Sequence, residues 1–217
     1  MVHWIRSGPV QSMVQTRAAA GPAILVDGLS ALQFLATGDG WVMAGDLEPG
    51  DRVLSFDQGE VPVAKVFRSR PALRVPQPFW PVYLPVGAMD NDEPAELLPA
   101  QMVMLESDLA EELYGEPFVM VPASSLVGWN GIERRAPEAE EIVHLQFDAP
   151  QVVFAGRSLL LGCGGAGVAA AAQFRGQGMM TLTATEARQL VAGLIRESGA
   201  GRMLPPAQAA LAGAYRL

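Results

Sequence analysis

GLSALQFLATGDGWVMAGDLEPGDRVLSFD, residues 28–57, is the stretch whose reading decides the fold. Leu32, Phe34 and Ala36 alternate with Gln33, Leu35 and Thr37, the period of two expected of a strand. Gly38-Asp39-Gly40 follows, a run that tolerates positive φ and suits a tight hairpin turn. Trp41 and Val42 restart the apolar pattern. Leu47-Glu48-Pro49-Gly50-Asp51 reads as a second turn, with proline presetting φ and glycine taking the left-handed position. Arg52 to Asp57 leaves it as a further strand. Periodicity alone supports any pair of β-hairpins here.

Composition bounds the rest. The 217 residues suffice for one domain, or for one domain with an appendage. Half are hydrophobic and 18% are charged, so a packed core is expected. A net charge of −8 argues against nucleic acid or an anionic membrane as main partner, because phosphate contacts need clustered Lys and Arg. Such a chain leaves a protein partner open. A single cysteine excludes an internal disulfide framework. Met1 to Ile24 lacks the basic and then apolar pattern of a secretory signal, and no apolar run is long enough for a membrane-spanning helix. The cytoplasm is therefore favoured, with non-classical secretion left open.

Outward from the opening stretch, residues 1–23 read as a leader, with a short helix over Ser12 to Ala20. Ala23 to Val26 is expected as a strand. Val61 to Arg70 suits another strand, and the prolines at 71, 76, 78 and 81 mark a connector. Pro81 to Ala88 and Glu96 to Leu105 carry further strands. Ser107 is a candidate N-cap for a helix reaching Tyr114, with Asp108 and Glu111 at its positive end and Gly115 after it. Glu138 to Glu141 reads as a solvated acidic loop. Ile142 to Gly156, IVHLQFDAPQVVFAG, reads as a hairpin.

Several of these pieces resemble the Hint domain, the self-processing fold of Hedgehog proteins and inteins, and most of all its bacterial branch. That branch carries T-x-x-G-W and then L-x-x-G-D-x-V-L-T-x-D. The counterparts here are Thr37, Gly40-Trp41, Leu47, Gly50-Asp51, Val53-Leu54 and Asp57. Gln101 with Val103, Met104 and Leu105 is similar to the S-P-Q-H-R-V-L-L block, and residues 142–156 are similar to V-H-L-L-F-D-R-H-E-V-V-F-A. The resemblance implies a mostly β fold: a compact antiparallel Hint-type domain over 24–160 with a short internal helix. A glycine-rich linker and a C-terminal helical segment would then fill 161–217.

The resemblance also implies a chemistry, and the residues for it have changed. The family's first residue is a Cys or Ser whose attack on the preceding carbonyl begins an acyl shift. Gly28 stands there. Ser30, two residues on, is the remaining hydroxyl, although near-attack geometry tolerates a displacement of only about an ångström. The hydroxyl and the His of the middle block are replaced by Pro99 and Met102, and the His of the last hairpin by Pro150. His144 matches a family position, but on a strand between Val143 and Leu145 a structural role is the expected one, because a single hydrogen bond satisfies a His. No catalytic, cofactor or metal residue is expected. Gly28, Pro99, Met102 and Pro150 should converge on an apolar pocket without perturbed titrating groups. The implied function is a Hint-like interaction or accessory module whose cleavage and splicing residues are lost. The alternatives are residual autoprocessing by an N–O acyl shift through Ser30 and, ranked after it, a nucleotide-binding enzyme that uses the Gly162 to Gly167 run.

A competing signal is Gly162-Cys163-Gly164-Gly165-Ala166-Gly167, which fits the dinucleotide-binding glycine pattern. A βαβ unit needs a second strand after its helix. Gly176-Gln177-Gly178 breaks that helix, so a flexible linker is the expected form and Cys163 has no His nearby to activate it. Thr183 and Glu186 form a capping box that opens a helix ending at Gly199. Its apolar stripe is Ala187, Leu190, Val191, Leu194 and Ile195. Gln208 to Leu217 reads as a short helical tail.

Overall fold

The computed structural model describes residues 24–138, 140–156, 158–164 and 170–201. The expected leader, its short helix, the tail after Gly201 and Gly165 to Gly167 lie outside the described residues. In chain order the strands are β1 Leu29–Ser30, β2 Phe34–Thr37, β3 Gly40–Met43, β4 Arg52–Ser55, β5 Gly59–Pro62, β6 Lys65–Ser69, β7 Val82–Leu84, β8 Ala95–Leu97 and β9 Met102–Glu106. Helix α1, Asp108–Tyr114, precedes β10 Phe118–Pro122, β11 Glu133–Arg134, β12 Ile142–Gln146, β13 Gln151–Ala155 and β14 Leu159–Cys163. Helices α2, Ala170–Gly176, and α3, Ala184–Gly201, follow. No helix among the described residues is long and apolar enough to cross a membrane.

The hairpins close where turn chemistry allows. Thr37 pairs with Gly40 across a two-residue loop, and Gly40 sits at φ +127°. Gly50, at φ +101°, turns the chain so that its amide reaches the Val63 carbonyl. Every strand ladder is antiparallel. A long sheet runs β10-β9-β14-β13-β2-β3, with β4 and β5 attached beside β13. A three-stranded sheet orders β1-β12-β6, and another orders β11-β7-β8.

The core lies between these sheets. Leu35, Val53, Val103, Val121, Val143, Val153 and Leu161 all belong to one buried cluster. Alternation sends Met102, Met104, Met120 and Val152 to the other face of the long sheet, where Phe174 of α2 covers them. Helix α1 begins as its sequence implies: the Ser107 hydroxyl accepts from the Ala110 amide, and Gly115 ends it at φ +78°. The capping box of α3 also forms, with the Thr183 amide donating to the Glu186 carboxylate at 2.8 Å. Helix α3 continues two residues past the expected Gly199.

Three expectations need correction. Ala23 lies outside the described residues, and Ile24 to Val26 forms no strand; the Val26 carbonyl accepts from the amide of Ala100, in the turn before β9, at 2.6 Å. The domain also runs past residue 160, because β14 extends to Cys163. Gly162 is therefore no linker. It pairs with Val152 on one side and Met102 on the other, flanked by antiparallel strands rather than by a βαβ unit. Its missing side chain is a packing requirement: a Cβ there would lie 2.8 Å from the Phe174 ring and 2.9 Å from the Met120 methyl.

Gly162→Val should consequently push Phe174 off the sheet. We expect a loss of about 1–3 kcal/mol, the usual cost of overpacking, read from urea unfolding. A midpoint unchanged from the native chain would show that α2 does not depend on this contact.

Candidate functional site

The segment Val26–Leu29 runs between Gln101, the residue before β9, and strand β12, both far from it in sequence. On one side, the Gly28 amide donates to the Gln101 side-chain carbonyl at 3.2 Å. On the other, Leu29 pairs with Val143 and Ser30 with Ile142, which brings Gly28 beside His144. Gln101 is buried, and its amide nitrogen donates to the Gly162 carbonyl at 2.7 Å and the Met102 carbonyl at 3.1 Å. This one side chain joins the start of the domain to β9 and β14.

Gly28 adopts φ +110°, a region that L side chains rarely enter. The space a side chain would need is also filled. A Cβ would meet the Ile142 Cγ2 at 2.6 Å and the His144 ring at 3.0 Å. Backbone conformation and packing thus both demand glycine at the position the resemblance gives to the nucleophile.

The other positions that the resemblance singles out are distributed as follows. The Pro99 carbonyl accepts from the Ser124 amide, two residues before the Gln101 that holds Gly28. Met102 starts β9, but its side chain packs with Met104, Met120, Val152 and Phe174. The pocket expected to be lined by Met102 is thereby corrected, since strand alternation turns this residue away from the buried face shared by Val103 and Leu105. Pro150 occupies the turn between β12 and β13. Its neighbour Gln151 is buried and accepts from the Ser55 hydroxyl at 2.7 Å.

Ser30 does not face Gly28's neighbours in isolation. Its hydroxyl donates to a Glu140 carboxylate oxygen at 2.6 Å and accepts from the Leu32 amide at 3.2 Å. Both groups line a cleft with Leu25, Phe79, Glu96 and Ile142. Glu96 is perturbed there. Burial of its carboxyl raises its pKa above the ordinary value, and the negative Glu140 and Glu138 add to the shift, while Arg135 opposes it. The acidic loop read as merely solvated therefore reaches the cleft through Glu140. Sequence alone gave no sign of this, because the partners lie on β1 and β8. Cys163 is buried, and desolvation pushes its thiol up to about 12. No group of His, Cys, Asp and Glu among the described residues is arranged to hold a metal ion.

The family model described as the Hint domain matches residues 32–159, more than half of the chain. The chain belongs to the Hint domain family. Among solved structures it is similar to a bacterial intein-like domain from Clostridium thermocellum, at 14% identity and a TM-score of 0.44, covering 63% of this chain and 99% of that one. It is also similar to the MchDnaB-1 intein, at 16% identity and a TM-score of 0.39, covering 62% and 98% respectively. No curated protein matches.

Two measurements test this geometry. Gly28→Ala should destabilise by roughly 1–3 kcal/mol from positive-φ strain and the Ile142 clash. The same change made in an Ile142→Ala background should cost less, because Cγ2 is then gone; additive losses would show that the two sites are uncoupled. For Glu96, a folded pKa above the unfolded one means that stability is full at low pH and falls as pH rises through the folded value. Glu96→Gln should therefore gain stability at pH 7 relative to the native chain. That gain should vanish below the ordinary glutamate value of 4.5, as followed by thermal unfolding across pH.

Proposed function

We propose that this Hint domain does not cleave or splice its own chain and works as an interaction or accessory module. The observation that carries this reading is Gly28: positive φ and the packed Ile142 and His144 leave no room for a nucleophile where the resemblance places one. Acyl transfer at the preceding peptide needs a thiol or hydroxyl there, with a proton donor for the departing amine. Pro99, Met102 and Pro150 supply neither a proton nor a nucleophile.

One observation favours a second reading. The short hydrogen bond from Ser30 to Glu140 pairs a hydroxyl with a carboxylate, as a nucleophile and base would be paired. Ser30 lies three residues from Asp27, whose carbonyl the family's reaction would attack, and its hydroxyl oxygen accepts from the Leu32 amide. The local role of holding the end of β1 and the turn after it accounts for both bonds.

Incubation of the full chain with dithiothreitol or hydroxylamine decides between the two. Intact mass should remain that of the native chain. A fragment ending at Asp27 or Leu29, lost on Ser30→Ala, would establish residual processing and overturn the first reading.

A further inference from the structure

The cleft beside Ser30 has walls of Val75, Phe79, Leu97, Leu98 and Ile142. Its polar side chains are Ser30, Glu96, Glu138 and Glu140. The Ser30 hydroxyl gives its one proton to Glu140 at 2.6 Å. The polar side chains of the cleft therefore present acceptors and no free donor. Pro71, Pro81 and Pro137, which also line it, have no amide hydrogen to add. A ligand that answers this lining must bring donors, and beside three carboxylates it must bring positive charge.

The neighbouring cations are engaged elsewhere. Arg135 pairs with Glu133 at 2.9 Å and lies over the Tyr83 ring. Arg134 donates to the Trp80 carbonyl at 2.8 Å. Glu96, Glu138 and Glu140 form no ion pair among the described residues. Desolvation and the charges of Glu140 and Glu138 all disfavour the ionised form of Glu96, and a cation in the cleft would act against each of them. The wall is also set in advance. Pro76 and Pro78 shape the short turn Gln77–Phe79, and the Trp80 indole donates to the Val75 carbonyl at 3.0 Å. A wall fixed before binding lowers the ordering cost of binding.

A second groove adjoins this one and shares Pro71, Ala72 and Glu140 with it. It is much wider, about 670 Å³ against about 30 Å³, and adds Arg70, Leu73 and Arg74. Leu73 is 50% exposed there. The narrow cleft suits one unbranched side chain, and the wide groove has room for the main chain that carries it. A free amine would leave the groove empty.

We propose that the cleft takes a lysine side chain from an extended segment of a partner protein. The methylenes of that side chain lie along Val75, Phe79 and Ile142, and its ammonium stands among Glu96, Glu138 and Glu140. Lysine fits better than arginine, because a compact head with three rotatable donors serves three separate carboxylates, whereas the planar guanidinium matches one. Residues flanking the lysine lie in the adjoining groove against Leu73. The inference rests on the reading of this domain as an interaction module and names the chemistry of its partner.

The probe is the peptide acetyl-Ala-Leu-Lys-Leu-Ala-amide, titrated into the full isotope-labelled chain and followed by amide chemical shifts. Saturable shifts are expected at residues 75, 96–98 and 142. The same peptide with norleucine for lysine should bind roughly tenfold more weakly, and Glu96→Gln should weaken the lysine peptide by a similar factor. Glu112→Gln, an exposed change on α1 outside the cleft, should leave binding as it was. Equal affinity for the two peptides, equal losses in the two variants, or shifts that are absent or lie elsewhere would overturn the proposal. Self-association of the chain that the peptide disperses would name a second copy as the occupant and overturn it too. A chain that stays intact in the mass measurement but binds both peptides alike loses this proposal and keeps the module reading. A chain that cleaves itself loses that reading, whatever its peptide affinity.

Discussion

The carboxamide of Gln101 is where three distant parts of the chain are tied together. Its oxygen holds the Gly28 amide, and its nitrogen bridges the carbonyls of Met102 and Gly162. A buried amide is expensive to leave unpaired, so this arrangement fixes the relative position of β1, β9 and β14. The path of residues 26–29 follows from it. With its amide held on one side and Leu29 paired with Val143 on the other, Gly28 is confined to a positive φ. The absence of a side chain at this position is thus a condition of the fold as built.

Ser30, Glu140 and Glu96, from three separate parts of the chain, line one cleft. These groups sit at the margin of the apolar cleft rather than in the core. Glu96 carries a cost for being ionised there, set first by desolvation and then by two like charges. Arg135 offsets part of that cost, and Arg135 is itself stacked over the Tyr83 ring, 3.2 Å from its centroid. The β11-β7-β8 sheet therefore contributes electrostatics to the cleft as well as packing.

Features governed by neighbours in sequence were legible before the structure. Ser107, Gly115, Thr183 and Glu186 declare helix ends through contacts within four residues. The hairpin at Gly38-Asp39 and the turn at Gly50 follow from the same short-range logic. What escaped reading depends on partners far away. Gly162 looks like flexible linker because a glycine needed for the close approach of Phe174 and one needed for freedom are the same letter. Met102 and Gln101 are adjacent, and only the burial of Val103 and Leu105 reveals which face each serves. The Ser30–Glu140 bond spans more than a hundred residues and leaves no local trace.

Cys163 closes β14 with its sulfur out of water and its proton held tightly. Alkylating reagents act on the thiolate and need access to it, so the native chain is inert to them while its sheet is intact. Each opening of β14 away from β13 and β9 would expose a sulfur of ordinary acidity. The lone cysteine thereby makes the chain its own clock: the rate at which it takes up an alkylating label counts the openings of the sheet that Gln101 holds closed.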